Sequence, residues 1–267
     1  MFTILCGAKM SIDNWANGKI AFISGATSGF GQALARRILN AGGKVIATGR
    51  RKDRLDAFSQ EMNNQNLFCL EMDVTDPQSI EDGLSSLPAA FQEIDILFNN
   101  AGLALGLKGA HEASLSDWNT MIDTNIKGLV HITNIILRGM AARNSGDIVN
   151  VGSVAGTYPY FGGNVYGATK AFVHQFSLNL RADLLGKNIR VTSIEPGMCE
   201  TEFSEVRFEG DKEKAAKVYE GVHALSADDV ALTIEGILRL PSHINVNTIE
   251  IMPVQQAFAG FAIHRNI

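Results

Sequence analysis

Short apolar runs rich in β-branched residues alternate along the chain with longer stretches whose apolar residues recur at helical spacing. Runs apolar at nearly every position suit strands buried on both faces, and their alternation with helical stretches predicts a parallel sheet covered by helices. The pattern places seven strands, at Lys19 to Ser24, Lys44 to Gly49, Leu67 to Met72, Ile94 to Asn99, Asp147 to Ser153, Arg190 to Glu195 and Asn247 to Met252. Helices are expected at Gly29 to Ala41, Asp53 to Gln65, Asp76 to Ser86, Ser116 to Ala142, Val165 to Leu185 and Asp228 to Leu240. Asp76-Pro77 puts a capping side chain before a proline at the first helical turn, where its missing N–H costs nothing.

No repeat or interdomain linker interrupts this pattern, so residues 19–267 read as one domain. Residues 1–18 precede the first strand and read as a flexible arm, with Met10 as an alternative start. The stretch Pro196 to Ala224 is rich in charge and poor in pattern. It follows the carboxyl end of a central strand, where open α/β sheets bind ligands, and is expected to form a substrate lid.

Composition narrows the class: 46% hydrophobic and 19% charged residues, with 26 glycines, describe a soluble globular chain. A net charge of −5 leaves no electrostatic footprint for nucleic acid. No apolar run reaches the roughly 18 residues that cross a bilayer, and Phe2 to Cys6 lacks the parts of a signal peptide. Neither membrane insertion nor export is expected. Cys6, Cys69 and Cys199 lack the spacing of a metal or redox motif, and no metal is expected; a reducing cytoplasm fits them.

The candidate chemistry begins where the first strand hands over to a helix, at Ser24-Gly25-Ala26-Thr27-Ser28-Gly29-Phe30-Gly31. Glycines allow a tight turn and close backbone approach, while the helix N-terminus offers unpaired N–H groups to phosphate. The second strand ends in Gly49-Arg50-Arg51. An NAD site generally places a carboxylate there for the ribose hydroxyl, whereas paired guanidiniums suit a 2′-phosphate. NADP is therefore expected over NAD. Farther along, Tyr166 and Lys170 stand four residues apart on a predicted helix and share one face. An ammonium beside the phenol favours phenolate, which a proton carrier near neutrality needs.

These elements occur in order with Asn99-Asn100-Ala101-Gly102, Asn125, Ser153 and Pro196-Gly197. Together they resemble the short-chain dehydrogenase/reductase family from about Lys19 to Met252. The resemblance implies a single-domain, doubly wound α/β fold of the Rossmann type and hydride transfer on a CH–OH group. It further implies that Ser153 hydrogen-bonds the substrate oxygen and Tyr166 exchanges its proton. Lys170 would lower the tyrosine pKa and hold the nicotinamide ribose, and Asn125 would anchor a water relay. Asp73 and Val74 would meet the adenine, Asn100 and Gly102 would run along the cofactor, and Ile194 to Gly197 with Thr201 would border the nicotinamide. Homodimers or homotetramers are usual in the family, and the apolar Ala257 to Ile263 offers a packing surface.

The segment Pro196 to Phe208 and the C-terminal stretches Pro241 to Thr248 and Ile251 to Gln255 resemble the NADP-dependent 3-hydroxy acid dehydrogenases, also described as serine or allo-threonine dehydrogenases. Cys199 and Glu200 stand where that group is expected to carry glycines. Arg207 is the only basic residue between Arg190 and Lys212. It is a candidate anchor for a substrate carboxylate or sulfonate; the alternative is an ion pair with Glu205 or Glu209. Tyr158, Pro159, Tyr160 and Phe161 are expected to line the pocket, Tyr160 against substrate. The leading expectation is NADP-linked oxidation of a small 3-hydroxy acid or reduction of its semialdehyde. The alternatives are a sulfoacetaldehyde-type or other small-carbonyl reductase and a non-catalytic NADP-binding regulator.

Overall fold

The computed structural model describes residues 14–208 and 210–258. The apolar runs form a parallel sheet of seven strands, β1 Ile20–Ile23, β2 Lys44–Gly49, β3 Leu67–Glu71, β4 Ile96–Asn99, β5 Gly146–Val151, β6 Ile189–Pro196 and β7 Thr248–Ile251. They lie in the order β3-β2-β1-β4-β5-β6-β7. Successive strand side chains point to opposite faces, and each face has its own core. Ile23, Val45 and Phe98 meet helices α1 (Gly29–Asn40), α2 (Lys52–Met62) and α9 (Ala227–Leu238), through Leu34, Ile38, Phe58 and Ile234. Phe22, Ile46 and Leu97 meet α3 (Pro77–Ser85), α5 (Leu129–Arg143) and α6 (Asn164–Asp183), through Ile80, Ile132, Ile136 and Leu180. No described helix is long and apolar enough to cross a membrane.

Strand order reverses between β1 and β4, so the connections after these two strands diverge and open a crevice at their carboxyl ends. The two ends are tied together: Ser24 N–H donates to the Phe98 carbonyl at 3.1 Å, and the Ser24 hydroxyl accepts from Asn100 and Ala101 N–H at 3.0 Å each. Local signals hold several helix starts as well. Asp76 accepts from Gln78 N–H at 3.0 Å with Pro77 behind it, and Ser226 with Asp229 closes a reciprocal capping box on α9.

Three expectations change. The helix expected over Ser116 to Ala142 is divided into α4 (Leu115–Ile122), a wide π-helical turn over Asp123–Gly128 and α5. The wide turn carries Asn125 inward and brings Gly128 so close to the β3–α3 connection that a Cβ there would stand 2.6 Å from the Val74 carbonyl oxygen. The stretch expected to be irregular contains two short helices, α7 (Glu202–Arg207) and α8 (Lys212–Lys217), capped by Thr201 and Asp211. At six residues each, they are too short to show periodicity. Finally, the packed body begins ahead of Lys19: Ala16 is fully buried, and Trp15 packs on the same core. The rest of the expected arm, with Met10, lies outside the described residues, as do positions 259–263 of the C-terminal apolar segment.

Candidate active site

A cleft of about 950 Å³ runs along the carboxyl ends of the strands, at the upper end of the range for small-molecule and cofactor sites. One end is built by the glycine turn. Gly25 and Gly29 take φ of +66° and +52°, a region that side chains disfavour. A Cβ at Gly31 would sit 2.6 Å from the Gly25 carbonyl oxygen, so glycine there lets the turn close on α1. Ser28, the residue at the N-cap, gives α1 no side-chain cap, and no acid stands in its first turn. The helix therefore presents free N–H groups and the positive end of its dipole to the cleft, which suits a pyrophosphate. Thr27, Ser28 and Phe30 line the same end.

The end of β2 lies against this turn, with a Cβ at Gly49 only 2.6 Å from Thr27 Cγ2. Arg51 Nε and Nη2 donate to Thr27 Oγ1 at 3.2 and 2.7 Å, and Nη2 also donates to Ser28 Oγ at 3.0 Å. A guanidinium is thereby fixed beside the phosphate-binding turn, while Arg50 lines the cleft and is exposed. Asp73 and Val74 form the wall beyond them, the Asp73 carboxylate accepting from Thr75 N–H and hydroxyl at 2.9 and 2.8 Å. This donor set fits an adenosine 2′-phosphate joined to a pyrophosphate.

Asn100 has a different duty from lining alone. Its Nδ2 donates to the Ser24 and Gly25 carbonyls at 3.0 and 2.9 Å, so it clamps the glycine turn from behind. Gly102 keeps the next stretch narrow: a Cβ there would lie 3.4 Å from Lys170 Nζ and 3.3 Å from Asn125 Oδ1.

The other end holds the candidate chemistry. Helix α6 buries Tyr166 and Lys170 one turn apart, and Ser153 ends the stretch after β5 with its Oγ accepting from Ala155 N–H at 3.1 Å. Burial pushes the Tyr166 phenol up to about 12, against the pull of the adjacent Ser153 hydroxyl and of the Arg207 charge. Burial also pushes Lys170 down to about 8. The net direction of the phenol's shift is therefore upward, opposite to the one expected from helix spacing. Lys170 Nζ donates to the Val151 carbonyl at 2.7 Å and lies 5.9 Å from the Tyr166 ring centre, and desolvation of the phenolate outweighs what the protein's own charges offer.

Asn125 is brought behind the cleft rather than into it. Its Oδ1 accepts from Leu103 N–H at 2.9 Å, and Nδ2 donates to the Leu103 carbonyl at 2.9 Å and to Thr169 Oγ1 at 3.0 Å. With its side-chain amide spent on protein partners, Asn125 pins the loop after β4 to α6. Its neighbour Thr124 lines the cleft, with a buried Oγ1 that has no protein partner.

Arg207 crosses from α7 to the catalytic end. Its Nη2 donates to the Tyr160 hydroxyl at 2.7 Å, and its guanidinium carbon stands 5.4 and 5.7 Å from the Tyr160 and Tyr166 ring centres. Among the described residues its side-chain hydrogen bonds go to this hydroxyl and, through Nε, to the Gly106 carbonyl at 3.4 Å, while Glu209 lies outside them. Phe203, on the same helix, rests 5.6 Å from the Tyr166 ring centre. Pro196, Gly197 and Thr201 complete the wall. Gly197 lies against the Gln256 amide, whose oxygen accepts from Met198 N–H at 2.7 Å. Thr124, Phe203, Glu202 and Gln256 were not singled out from sequence, because their meeting depends on turns and short helices without a periodic signature.

A doubly wound sheet, a glycine turn at the switch point, and a partly buried Ser153 beside the buried Tyr166 and Lys170 define an oxidoreductase of the short-chain dehydrogenase type. The family model for short chain dehydrogenase matches residues 19–212, and the chain belongs to that family. Among its relatives is the NADP-dependent 3-hydroxy acid dehydrogenase YdfG of Salmonella typhi, 55% identical over 92% of this chain and 100% of the relative. Serine 3-dehydrogenase of Agrobacterium fabrum is 54% identical over 91% of this chain and 97% of the relative. A solved closed form of serine dehydrogenase complexed with NADP+ superposes with a TM-score of 0.91 at 55% identity, covering 92% of this chain and 100% of that one.

Proposed function

We propose that this protein transfers hydride between NADP(H) and a small 3-hydroxy acid such as serine, for which a relative and a solved structure are named. The observation that carries the substrate class is Arg207, a cation 5.7 Å from the Tyr166 ring centre, hydrogen-bonded to a neutral tyrosine hydroxyl. A carboxylate two bonds from the reacting carbon can reach this guanidinium while its hydroxyl faces Tyr166, with two parallel N–H···O bonds fixing the pose. A sulfonate-bearing aldehyde is the second reading, because it offers the same guanidinium the same charge. The segment 196–224, which carries Arg207, serves as the substrate lid.

In the oxidative direction, Tyr166 as phenolate takes the hydroxyl proton of the substrate, and Ser153 donates a hydrogen bond to the same oxygen. As the O–H electrons form the C=O bond, the hydrogen on that carbon leaves with its bonding pair as hydride. NADP+, when bound, supplies the hydride acceptor and a positive charge that favours the phenolate. Gly25, Thr27, Ser28, Gly29, Phe30 and Gly31 hold the pyrophosphate, and Arg50 and Arg51 the 2′-phosphate. Lys170, whose Nζ donates to the Val151 carbonyl beside this end of the cleft, would hold the nicotinamide ribose.

The test is Arg207→Ala in steady-state kinetics with serine and with a neutral alcohol of the same size. A charged contact supplies about 2 kcal/mol, so kcat/KM for serine should fall about 30-fold while the neutral alcohol changes little. Equal effects on both substrates would remove the anchor. Cys69 and Cys199 are free thiols, which fits residence in a reducing cytoplasm. The half-exposed Phe172, stacked 5.7 Å from Phe176 on α6, supports assembly as a homodimer or homotetramer.

A further inference from the structure

The guanidinium assigned to the 2′-phosphate already has a carboxylate partner. Glu202, in the first turn of α7, accepts from Arg51 Nη1 at 3.1 Å. Both of its oxygens accept from Arg54 Nη1 at 2.6 Å. The two arginines hold this carboxyl below the usual range although its partial burial pushes the other way. Nε and both Nη2 bonds of Arg51 go to Thr27 and Ser28, so Nη1 is the edge left for an outside partner, and Glu202 takes one of its two N–H groups. Glu202 and Arg51 both line the cleft at this end, with Thr27 and Ser28.

We infer that Glu202 is a built-in competitor for the 2′-phosphate of the cofactor, an inference that rests on the reading of Arg51 as a 2′-phosphate ligand. The dianionic phosphate takes Arg51 from the carboxylate, and the like charge displaces Glu202 from the phosphate site. NADH carries a 2′-hydroxyl, which neither needs the Arg51 edge nor repels a carboxylate, so it leaves the ion pair intact. The consequence reaches the substrate end of the cleft. Glu202 shares its short helix with Phe203, against the Tyr166 ring, and with Arg207, on the Tyr160 hydroxyl. Loss of the Arg51 contact leaves Glu202 on Arg54 alone and loosens one of the two ties at the amino end of the helix whose other end meets the substrate. The lid thus senses whether the bound dinucleotide carries a 2′-phosphate.

The experiment is a fluorescence titration of the full chain with NADPH and with NADH, in wild type, Glu202→Gln and Arg51→Gln. Glu202→Gln preserves the side-chain shape and should tighten NADPH about fivefold, the size of a well-oriented surface ion pair. NADH should stay within about twofold of wild type. Unchanged or weaker NADPH binding would overturn the inference, since Glu202 would then only orient the arginines. Equal tightening of NADPH and NADH would overturn it too, because the competition would not be with the 2′-phosphate. Arg51→Gln separates the two layers. Selective loss of NADPH binding upholds the reading beneath the inference, whereas an unchanged NADPH-to-NADH ratio removes that reading and the inference with it.

Discussion

Replacing Lys170 with methionine removes a buried amine and tests the electrostatics at the centre of the site. Lys170 is 6% exposed, its Nζ has the Val151 carbonyl as partner, and burial lowers its pKa from 10.5 to about 8. The unfolded chain holds this proton up to about pH 10.5, while the folded chain releases it near pH 8. Between these values the unfolded state binds more protons, so the contribution of Lys170 to stability rises with pH. Below pH 8 the folded protein bears the full penalty of a buried ammonium; above pH 10.5 the penalty is gone. A shift of about 2.5 units corresponds to about 3 kcal/mol, of which about 2 to 3 kcal/mol is recovered between pH 7 and pH 10.

Urea unfolding of cofactor-free wild type and Lys170→Met at pH 7 and pH 10, followed by circular dichroism, measures this directly. Wild type should gain about 2 to 3 kcal/mol relative to the variant on going to pH 10. Other groups titrate alike in both proteins and cancel, including Tyr166, whose raised value acts in the opposite sense above pH 10. Parallel pH dependence in the two proteins would refute the reasoning, since Lys170 would then titrate as a solvated amine.

Two further substitutions bear on the same site. Tyr166→Phe removes the proton carrier and leaves the glycine turn intact, so turnover should fall by about 10²-fold or more while NADPH binding by fluorescence stays within about twofold. Gly31→Ala would place a methyl group 2.6 Å from the Gly25 carbonyl oxygen and 2.7 Å from Asn100 Nδ2. Thermal unfolding should show a loss of about 1 to 3 kcal/mol, together with weaker binding of both NADPH and NADH.

The strands were legible because burial on both faces leaves continuous apolar runs such as Ile20–Ile23 and Val45 to Ala47, and the glycine turn because its spacing marks a strand-to-helix junction. Ser153, Tyr166 and Lys170 were legible as members of an ordered set, and the cleft brings all three together. The π-helical turn around Asn125 was not, since one widened turn hardly alters apolar spacing and its cause lies in Leu103 and Thr169, on other elements. Nor was Glu202, whose partners stand 148 and 151 residues away. The direction of the Tyr166 shift was hidden for a related reason. Spacing on a helix shows which groups are neighbours, but desolvation depends on what the loop after β4 and α7 lay over them.

Whether the protein is an NADP-linked dehydrogenase for a small 3-hydroxy acid is read from cofactor reduction by the wild-type protein. NADP+ and NAD+ are each paired with serine, 3-hydroxypropionate, isethionate and a neutral secondary alcohol. kcat/KM should be highest with NADP+ and a 3-hydroxy acid, with the neutral alcohol and NAD+ each lower by at least about tenfold. Equal turnover of the neutral alcohol, or reduction of NAD+ as efficient as that of NADP+, would contradict that assignment.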